Sequence, residues 1–278
     1  MDYFQRMKRR LEGQEDGVPG YLGEKYRGRK FAEGIGVKVP DLYFRGPSSR
    51  LTSITFPRRF VIKPEYASTS IGVFLLEKIE PGLYKDLISD ETWSIQRLGQ
   101  YYSDMSKQKY DDSERGLVLV EELLENSDGT FPPPDVRAYM FQGECGFYLV
   151  EDHIAGQAAA SYYNGDFTPM ADVKSRFGVH EKASHLEKIV TRPVPDNADM
   201  LEAVAKRVSV AVPSSFCRVD MYDSSRGVML GEITFYPGTF YYGNRKIMYG
   251  EEAQRLGELW RRAEQRLAGS VKGKPFPQ

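Results

Sequence analysis

Residues 216–238 read FCRVDMYDSSRGVMLGEITFYPG, a stretch that places two acids and an arginine within apolar runs. Two apolar runs, each carrying one acid, flank the turn-rich residues 223–227, which predicts a β-hairpin with Asp220 and Glu232 on neighbouring strands. Arg218 precedes Asp220 by two positions, so strand alternation puts both side chains on one face. Two carboxylates held together on strands repel each other unless a divalent cation or another positive charge lies between them. The stretch therefore predicts a cation site, with an ordinary solvated hairpin as the alternative.

The composition excludes several classes of protein. A chain of 278 residues can bury a full core and is long enough for an enzyme. Lys and Arg (38) nearly balance Asp and Glu (39), so no global basic surface for nucleic acid is expected and any anionic ligand must be bound locally. Cys145 and Cys217 lie in apolar runs, which argues against a disulfide framework. No apolar run approaches the ~18 residues of a membrane span, and we expect a cytoplasmic protein.

A second candidate site follows a short strand near residue 60. Phe60, Val61 and Ile62 form a β-favouring triplet that Lys63 and Pro64 close, so Lys63 lies at a strand end. Residues 67–72, ASTSIG, then form a turn of small residues before the next strand. Backbone amides in such a turn, together with one lysine, can hold phosphate oxygens, although many hairpin turns have the same composition.

The middle of the chain contains a candidate hinge and a candidate boundary. Residues 116–124, GLVLVEELL, place two acids inside an apolar strand, where charge is costly unless the chain leaves the sheet or the acids have partners. Residues 131–134, FPPP, predict a rigid connector between two lobes. Residues 135–150 predict a second hairpin with Asp135 and Arg137 on one face. Residues 156–190 are expected to be irregular and mobile, and the histidines lack metal-ligand spacing.

The order of these elements resembles the ATP-grasp superfamily. That order is a strand-end lysine, a small-residue loop, a Glu-Glu hinge, an Asp-x-Arg hairpin, a helix, and paired strands with Asp and Glu. The segments VEELLENSDGTFPPPDVRAYMFQGE and FCRVDMYDSSRGVMLGEITFYPG are similar to the TupA-like group, named for teichuronopeptide biosynthesis, over about residues 25–250. The resemblance implies an α+β ATP-grasp fold in which two α+β lobes with antiparallel sheets clamp ATP. We expect an N-terminal extension (1–24), a small lobe (25–125) and a large lobe with the metal site (126–278).

The resemblance also implies roles for residues that would bind the nucleotide. Lys63 would contact the phosphates of ATP, and Lys25 would be an upstream lysine of the same site, with Lys30 competing for that role. Asp135 is a further candidate for nucleotide binding. The other implied positions are a phosphate-covering loop of Ser68, Thr69, Ser70 and Gly72, and an adenine-binding hinge of Glu121, Glu122 and Leu123.

The metal and the reacting group would be held by the hairpin. Asp220 and Glu232 would bind Mg²⁺, and Thr234 stands where many members of the superfamily have Asn, a difference that the TupA-like pattern shares. Arg218, with Arg137 as a second candidate, would place a cation near the acyl phosphate together with Lys63.

The implied activity is that of an ATP- and Mg²⁺-dependent carboxylate–amine ligase, which forms an amide bond through an acyl phosphate. Its substrates would be a small-molecule carboxylate and an amine, for example in attaching an amino acid to a cell-surface saccharide precursor or building a peptide-like metabolite. A kinase acting on a hydroxyl and a non-catalytic nucleotide-binding module are the alternatives. Because about two dozen residues precede Lys25, we expect a short or missing N-terminal substrate domain. Residues 156–195, a homodimer or a partner subunit would then complete the acceptor site.

Overall fold

The computed structural model describes residues 1–67, 71–152 and 157–271. The chain divides into two compact units. The large unit comprises Met1–Gly23, Arg27–Val39 and Pro133–Gln278, and the small unit comprises Glu24–Tyr26 and Pro40–Pro132. This grouping differs from the expected division, because the N-terminal residues belong to the large unit instead of forming a separate extension. One of the points at which the chain passes from one unit to the other lies inside the FPPP segment, between Pro132 and Pro133.

Both units contain helices and strands. The helices in the described part of the chain are α1 (Tyr3–Leu11), α2 (Lys25–Gly34), α3 (Ile95–Tyr110), α4 (Val173–Arg176), α5 (Ala198–Ala211), α6 (Gly238–Tyr241) and α7 (Gly250–Val271). The strands there are β1 (Leu42–Pro47), β2 (Arg59–Pro64), β3 (Phe74–Glu80), β4 (Leu83–Asp86), β5 (Thr92–Ser94), β6 (Leu117–Glu121), β7 (Asp135–Phe141), β8 (Glu144–Asp152), β9 (Ala158–Asn164), β10 (Phe177–Val179), β11 (Glu187–Ile189), β12 (Cys217–Ser224), β13 (Gly227–Thr234) and β14 (Lys246–Met248).

The small unit is built on an antiparallel six-stranded sheet in the order β1-β6-β2-β3-β4-β5. Helix α3 packs on this sheet through Leu98 and Tyr102, which share one apolar cluster with Phe60 and Ile62 of β2. The Ser94 hydroxyl caps the helix by accepting a hydrogen bond from the Arg97 amide at 3.1 Å. β2, which ends in Lys63-Pro64, therefore occupies a central and well-packed position.

The large unit contains a six-stranded sheet in the order β11-β9-β8-β7-β12-β13. The two predicted hairpins are present as β7–β8 and β12–β13. All neighbours in this sheet are antiparallel except β11 and β9, which run parallel, so the sheet is mixed. Strands β10 and β14 form a separate antiparallel pair.

Both faces of the large sheet are covered. Val219 and Met221 of β12 pack in the apolar cluster that includes α5, whereas Phe216 packs in the cluster that includes α1 and α7. Since side chains alternate along a strand, Arg218 and Asp220 lie on the same face as Phe216. The charged residues of the hairpin therefore continue a face whose other part is a dense aromatic core.

Arg10 of α1 fastens the N-terminal residues to the hairpin. Its Nη1 donates to the carbonyls of Phe216 and Phe235, at 2.9 and 3.1 Å, at the base of β12 and beyond the end of β13. Its guanidinium also forms a two-nitrogen ion pair with Glu15, at 2.8 Å for each contact, and lies 4.5 Å from the ring centroid of Trp260. The segment expected to be an extension thus supports the two strands that carry the acids.

The expectation of an irregular segment over residues 156–190 is wrong at the three strands that the structure describes there. β9, β10 and β11 lie in this range, and all but the last residue of β9 are buried. A strand covered on both faces lacks the period-2 alternation that identifies a half-buried strand, and its sequence, AAASYYN, contains few strand-favouring residues. The periodicity of the sequence therefore gave no signal there.

Two further features concern covalent chemistry and membranes. Cys145 and Cys217 are free thiols, and burial raises the pKa of Cys217 to about 12. Within residues 1–67, 71–152 and 157–271, no helix has the length and apolarity needed to cross a bilayer.

Candidate active site

The two acids of the opening hairpin are direct cross-strand partners. Asp220 of β12 pairs with Glu232 of β13, and Arg218 pairs with Thr234. The register shifts just after Asp220, at a bulge that contains Gly231. A Cβ on Gly231 would lie 2.8 Å from the ring of Tyr222, so only glycine fits at this bulge. The direct pairing brings a carboxylate from each strand to the same position on one face.

The Arg218 guanidinium lies between these side chains. Its Nε donates to Asp220 Oδ1 at 2.7 Å, and its Nη2 donates to Asp220 Oδ2 at 2.5 Å. The same Nη2 is 3.3 Å from Glu232 Oε1 and 3.4 Å from Thr234 Oγ1. Arg218 therefore contacts all three residues that were predicted to hold a metal.

Burial shapes the electrostatics of this cluster. Burial raises the pKa of Asp220 to about 6, a shift that the nearby Arg218 charge opposes and the Glu232 charge reinforces. Arg218 and Asp220 are each 8% exposed, whereas the Glu232 side chain is 44% exposed. The pair is thus a buried ion pair with a more accessible carboxylate at its edge.

The donor atoms fit a magnesium ion in kind. Asp220 and Glu232 supply carboxylate oxygens and Thr234 supplies a hydroxyl, and Mg²⁺ prefers such hard oxygen ligands. Thr234 also donates to Glu232 Oε1 at 3.1 Å, which orients that carboxylate. Across residues 1–67, 71–152 and 157–271, groups of three or more His, Cys, Asp or Glu that could hold a metal do not occur. A metal here would therefore rest on two carboxylates, the hydroxyl and water or ligand oxygens.

Arg137 lies beside this cluster, because its position on β7 is the cross-strand partner of Asp220. Its guanidinium forms ion pairs with Glu151 and, at 2.9 Å, with Asp135. Burial lowers the pKa of Arg137, but the charges of Glu151 and Asp135 raise it overall. Asp135, predicted to bind the nucleotide, is thus engaged with Arg137 on the metal-site face of the large unit.

A buried lysine extends the network. Lys246 Nζ is 2.5 Å from Glu151 Oε1 and 2.7 Å from Glu187 Oε2, and these three residues are at most 4% exposed. Arg245 Nη2 lies 2.7 Å from Glu187 Oε1, the other oxygen of that carboxylate. The Arg245 side chain is 48% exposed. The charged face therefore continues from Asp220 through Arg137 to Lys246.

The predicted nucleotide residues of the small unit also form a cluster. Lys63, at the end of β2, forms an ion pair with Glu121, whose side chain is 8% exposed. The amide of Glu122 donates to the Asp41 carbonyl at 2.8 Å, and its carboxylate accepts from the Asp41 amide at 3.0 Å. The backbone of the expected hinge is thus anchored at Glu122, and Leu123 is buried.

The residues flanking the predicted loop are held by two lysines and a tyrosine. Lys25 donates to the Ala67 carbonyl, and Lys109 donates to the Tyr66 carbonyl at 2.5 Å. The Tyr102 hydroxyl donates to the Gly72 carbonyl at 2.7 Å, and Gly72 has a φ of +69° that glycine adopts without strain. Ser68, Thr69 and Ser70 lie outside the described residues.

Lys25 and Lys30, the two candidates for the upstream lysine, are placed differently in the structure. Lys25 contacts the backbone that enters the loop, whereas Lys30 Nζ lies 2.6 Å from Glu33 on the exposed side of α2. This placement favours Lys25, and its role in nucleotide binding stays a prediction.

Sequence reasoning missed Glu151, Glu187, Lys246 and Lys109. Glu151 follows an apolar run and could have been noticed as an acid at the end of a buried strand. Lys246 begins the three-residue strand β14, which is too short for its periodicity to indicate burial. These residues became visible only through contacts between segments that are distant in the chain.

Comparison with known proteins identifies the family. The family model for TupA-like ATP-grasp proteins matches residues 7–258. A search of curated proteins gave no match.

Several solved ligase structures are similar to the chain. VanG D-Ala:D-Ser ligase from Enterococcus faecalis is 13% identical, with a TM-score of 0.48, over 89% of this chain and 61% of that one. D-alanine–D-alanine ligase from Bacillus anthracis is 13% identical, with a TM-score of 0.49, over 90% of this chain and 69% of that one. The ATP-grasp ligase PsnB is 12% identical, with a TM-score of 0.46, over 89% of this chain and 58% of that one. The chain thus spans 61% and 59% of the first two ligases found, VanG and the D-alanine–D-alanine ligase from Helicobacter pylori.

The family match covers most of the chain, including both charged clusters and both hairpins. The α+β ATP-grasp fold predicted from the sequence is confirmed, and so is the predicted group. The chain belongs to the TupA-like ATP-grasp family.

Proposed function

We propose that the protein is an ATP- and Mg²⁺-dependent carboxylate–amine ligase. The observation that carries the proposal is the pairing of Asp220 with Glu232 in register, with Arg218 between them, in a chain of the ATP-grasp family. Two rigidly held carboxylates suit a divalent cation that accompanies ATP, and a buried arginine beside them suits an anionic reaction centre.

Each charged cluster fits one part of the cosubstrate. Asp220, Glu232 and Thr234 would hold Mg²⁺, which neutralises charge on the β- and γ-phosphates when it is bound. Lys63 would contact phosphate oxygens, and Lys25 would support the loop that includes Gly72. Glu121, Glu122 and Leu123 would contact adenine and ribose, with Asp135 as a further nucleotide-binding candidate.

The proposed reaction has two steps. A carboxylate oxygen of the acid substrate attacks the γ-phosphorus of ATP, the bond to the β-phosphate oxygen breaks, and ADP leaves. The amine then attacks the carbonyl carbon of the acyl phosphate, inorganic phosphate leaves, and the nitrogen loses a proton. Arg218, and Arg137 as a second cation, would stabilise the negative charge that builds up on the transferred phosphoryl group and on the carbonyl oxygen.

The acceptor is proposed by chemical class. The amine and acid would be small molecules, such as an amino acid and a saccharide precursor of the cell surface or a peptide-like metabolite. This assignment rests on the resemblance to a group named for teichuronopeptide biosynthesis, and it fits a cytoplasmic enzyme with access to ATP. Mass spectrometry of metabolites lost when the gene is deleted would identify the acid.

A hydroxylamine trap tests the reaction class. The protein is incubated with ATP, Mg²⁺, hydroxylamine and each acid of a panel, and hydroxamate is measured by its coloured ferric complex. We expect hydroxamate with at least one acid and none with Glu232→Gln. Phosphorylation of a hydroxyl without hydroxamate would show a kinase, and ATP binding without turnover across the panel would favour a non-catalytic nucleotide-binding module.

A further inference from the structure

The Arg218 guanidinium and a metal ion would use the same oxygen atoms. Arg218 engages both carboxylate oxygens of Asp220 and approaches Glu232 Oε1 and Thr234 Oγ1. These are the donor atoms of the proposed metal site. In the structure, the guanidinium therefore places a positive charge against both paired carboxylates.

Arg218 cannot relieve a clash with a second cation by losing its proton. A guanidinium stays protonated at any pH that leaves the protein folded. A divalent ion on Asp220 would lie within contact range of the fork, the Nε and Nη2 atoms of Arg218 that hold both Asp220 oxygens. In a site this buried, the repulsion between the metal ion and the guanidinium is only weakly screened. Side-chain movement is the remaining way for the site to accept both charges.

The arginine has an attachment outside the set of metal ligands. Its Nη1 donates to Thr239 Oγ1 at 3.0 Å, and Thr239 lies on α6, after the hairpin. Arg137, another side-chain cation on this face, forms ion pairs with Asp135 and Glu151. Arg218 thus combines direct contacts to the proposed metal ligands with a separate contact to Thr239.

We propose that Arg218 is a metal-displaced switch: it holds Asp220 and Glu232 together before the metal binds, and metal binding releases its fork from Asp220. The released guanidinium then becomes available to the transferred phosphoryl group. Arg218 would in this way reach the reaction centre only after metal and nucleotide are in place. The proposal rests on the proposed function, since it requires the metal site at Asp220 and Glu232.

Metal binding without nucleotide or turnover tests the switch. The dissociation constant of Mn²⁺, a paramagnetic substitute for Mg²⁺, is measured by electron paramagnetic resonance for the full chain and its variants. Arg218→Met removes the competing cation, so we expect at least about tenfold tighter Mn²⁺ binding. Arg137→Met removes an equal charge from the same face without freeing Asp220, and a change of less than about threefold is expected. Arg218→Lys keeps the charge but lacks the two-nitrogen fork, so an intermediate affinity is expected, and this variant substitutes if Arg218→Met does not fold.

The outcomes separate the switch from the metal site itself. Unchanged or weaker Mn²⁺ binding by the Arg218 variants would overturn the switch. The switch would also be overturned if Arg137→Met tightened Mn²⁺ binding as much as Arg218→Met does. If Asp220→Asn and Glu232→Gln bind Mn²⁺ as the unaltered protein does, the proposed metal site fails, and the switch fails with it. If those two variants lose Mn²⁺ while the Arg218 variants behave like the unaltered protein, the metal site stands and only the switch is wrong.

Discussion

Arg218 and Asp220, two residues apart on β12, form a buried bidentate ion pair with nitrogen–oxygen distances of 2.7 and 2.5 Å. Their spacing puts both side chains on one face of the sheet, and the pairing of Asp220 with Glu232 adds a second carboxylate. Removing one partner of a buried pair leaves the other charge uncompensated. Glu232, which is more exposed, is therefore the better position at which to separate metal binding from folding.

Glu232→Gln should weaken metal binding while leaving the fold intact. The Glu232 side chain is 44% exposed, so the free energy of unfolding should change by no more than about 0.5 kcal/mol. The substitution removes a charged oxygen ligand, and we expect Mn²⁺ affinity to fall by about tenfold or more. Calorimetric titration and urea denaturation measure the two quantities. Glu258→Gln, on the exposed side of α7, is the matched control, and equal Mn²⁺ affinity in the two variants would contradict the assignment.

Lys63→Met should impair both ATP binding and stability, for separable reasons. A charge-assisted contact to phosphate contributes roughly 1.5–3 kcal/mol, so ATP affinity should fall by about tenfold or more. The buried Glu121 carboxylate also loses its lysine, which should lower the free energy of unfolding by about 1–3 kcal/mol.

The double variant Lys63→Met/Glu121→Gln separates these effects. Neutralising Glu121 removes the uncompensated charge, so stability should return toward that of the unaltered protein while ATP affinity stays low. Titration with a fluorescent ATP analogue and chemical denaturation report the two effects. Unchanged ATP affinity in both variants would show that Lys63 does not contact the nucleotide.

Lys246 and Arg245 both contact Glu187, so substitutions at the two positions can be compared for their effect on stability. Lys246→Met leaves the buried carboxylates of Glu151 and Glu187 without their shared ammonium, and a loss of about 3–5 kcal/mol in stability is expected. Arg245→Gln removes a half-exposed partner of Glu187 alone and should cost at most about 1 kcal/mol. Urea denaturation compares them. Similar midpoints for the two variants would mean that Lys246 does not compensate both acids.

Glu15 should make stability depend on acid pH. Burial raises its pKa, but hydrogen bonds from Arg10 and Ser215 and the Arg10 charge outweigh burial and lower it below the ordinary 4.5. A lowered pKa in the folded state means that the ionised carboxylate contributes stability above pH 4.5 and that this contribution disappears as pH falls through the folded pKa.

Glu15→Gln tests this pH dependence. At pH 7 the variant should be less stable by about 1.5–3 kcal/mol, because a hydrogen-bonded ion pair with Arg10 is lost. The difference should shrink as pH falls from 4.5 through the lowered pKa of the folded state, which denaturant midpoints measured at a series of acid pH values would show. A constant difference across the range would exclude the Glu15 carboxylate as its source.

Local sequence rules determined the parts of the candidate site that lie within one or two strands. Strand alternation placed Arg218 with Asp220, the turn at residues 223–227 set the hairpin, and Pro64 marked the strand end at Lys63. These features depend on neighbours a few residues away, so periodicity and turn chemistry suffice to predict them. The resemblance to TupA-like proteins supplied the family and the proposed chemistry.

Only the tertiary structure decided which charges meet. Lys246 joins Glu151 to Glu187, Arg10 supports the base of the hairpin from α1, and β9 is buried on both faces. Such contacts depend on the order of strands in the sheet and on packing between distant segments, which no local pattern encodes. The sequence placed Arg218 and Asp220 on one face of a strand. The folded structure paired Glu232 with Asp220 and put the guanidinium against the predicted metal ligands, because the buried Asp220 carboxylate requires a cation beside it.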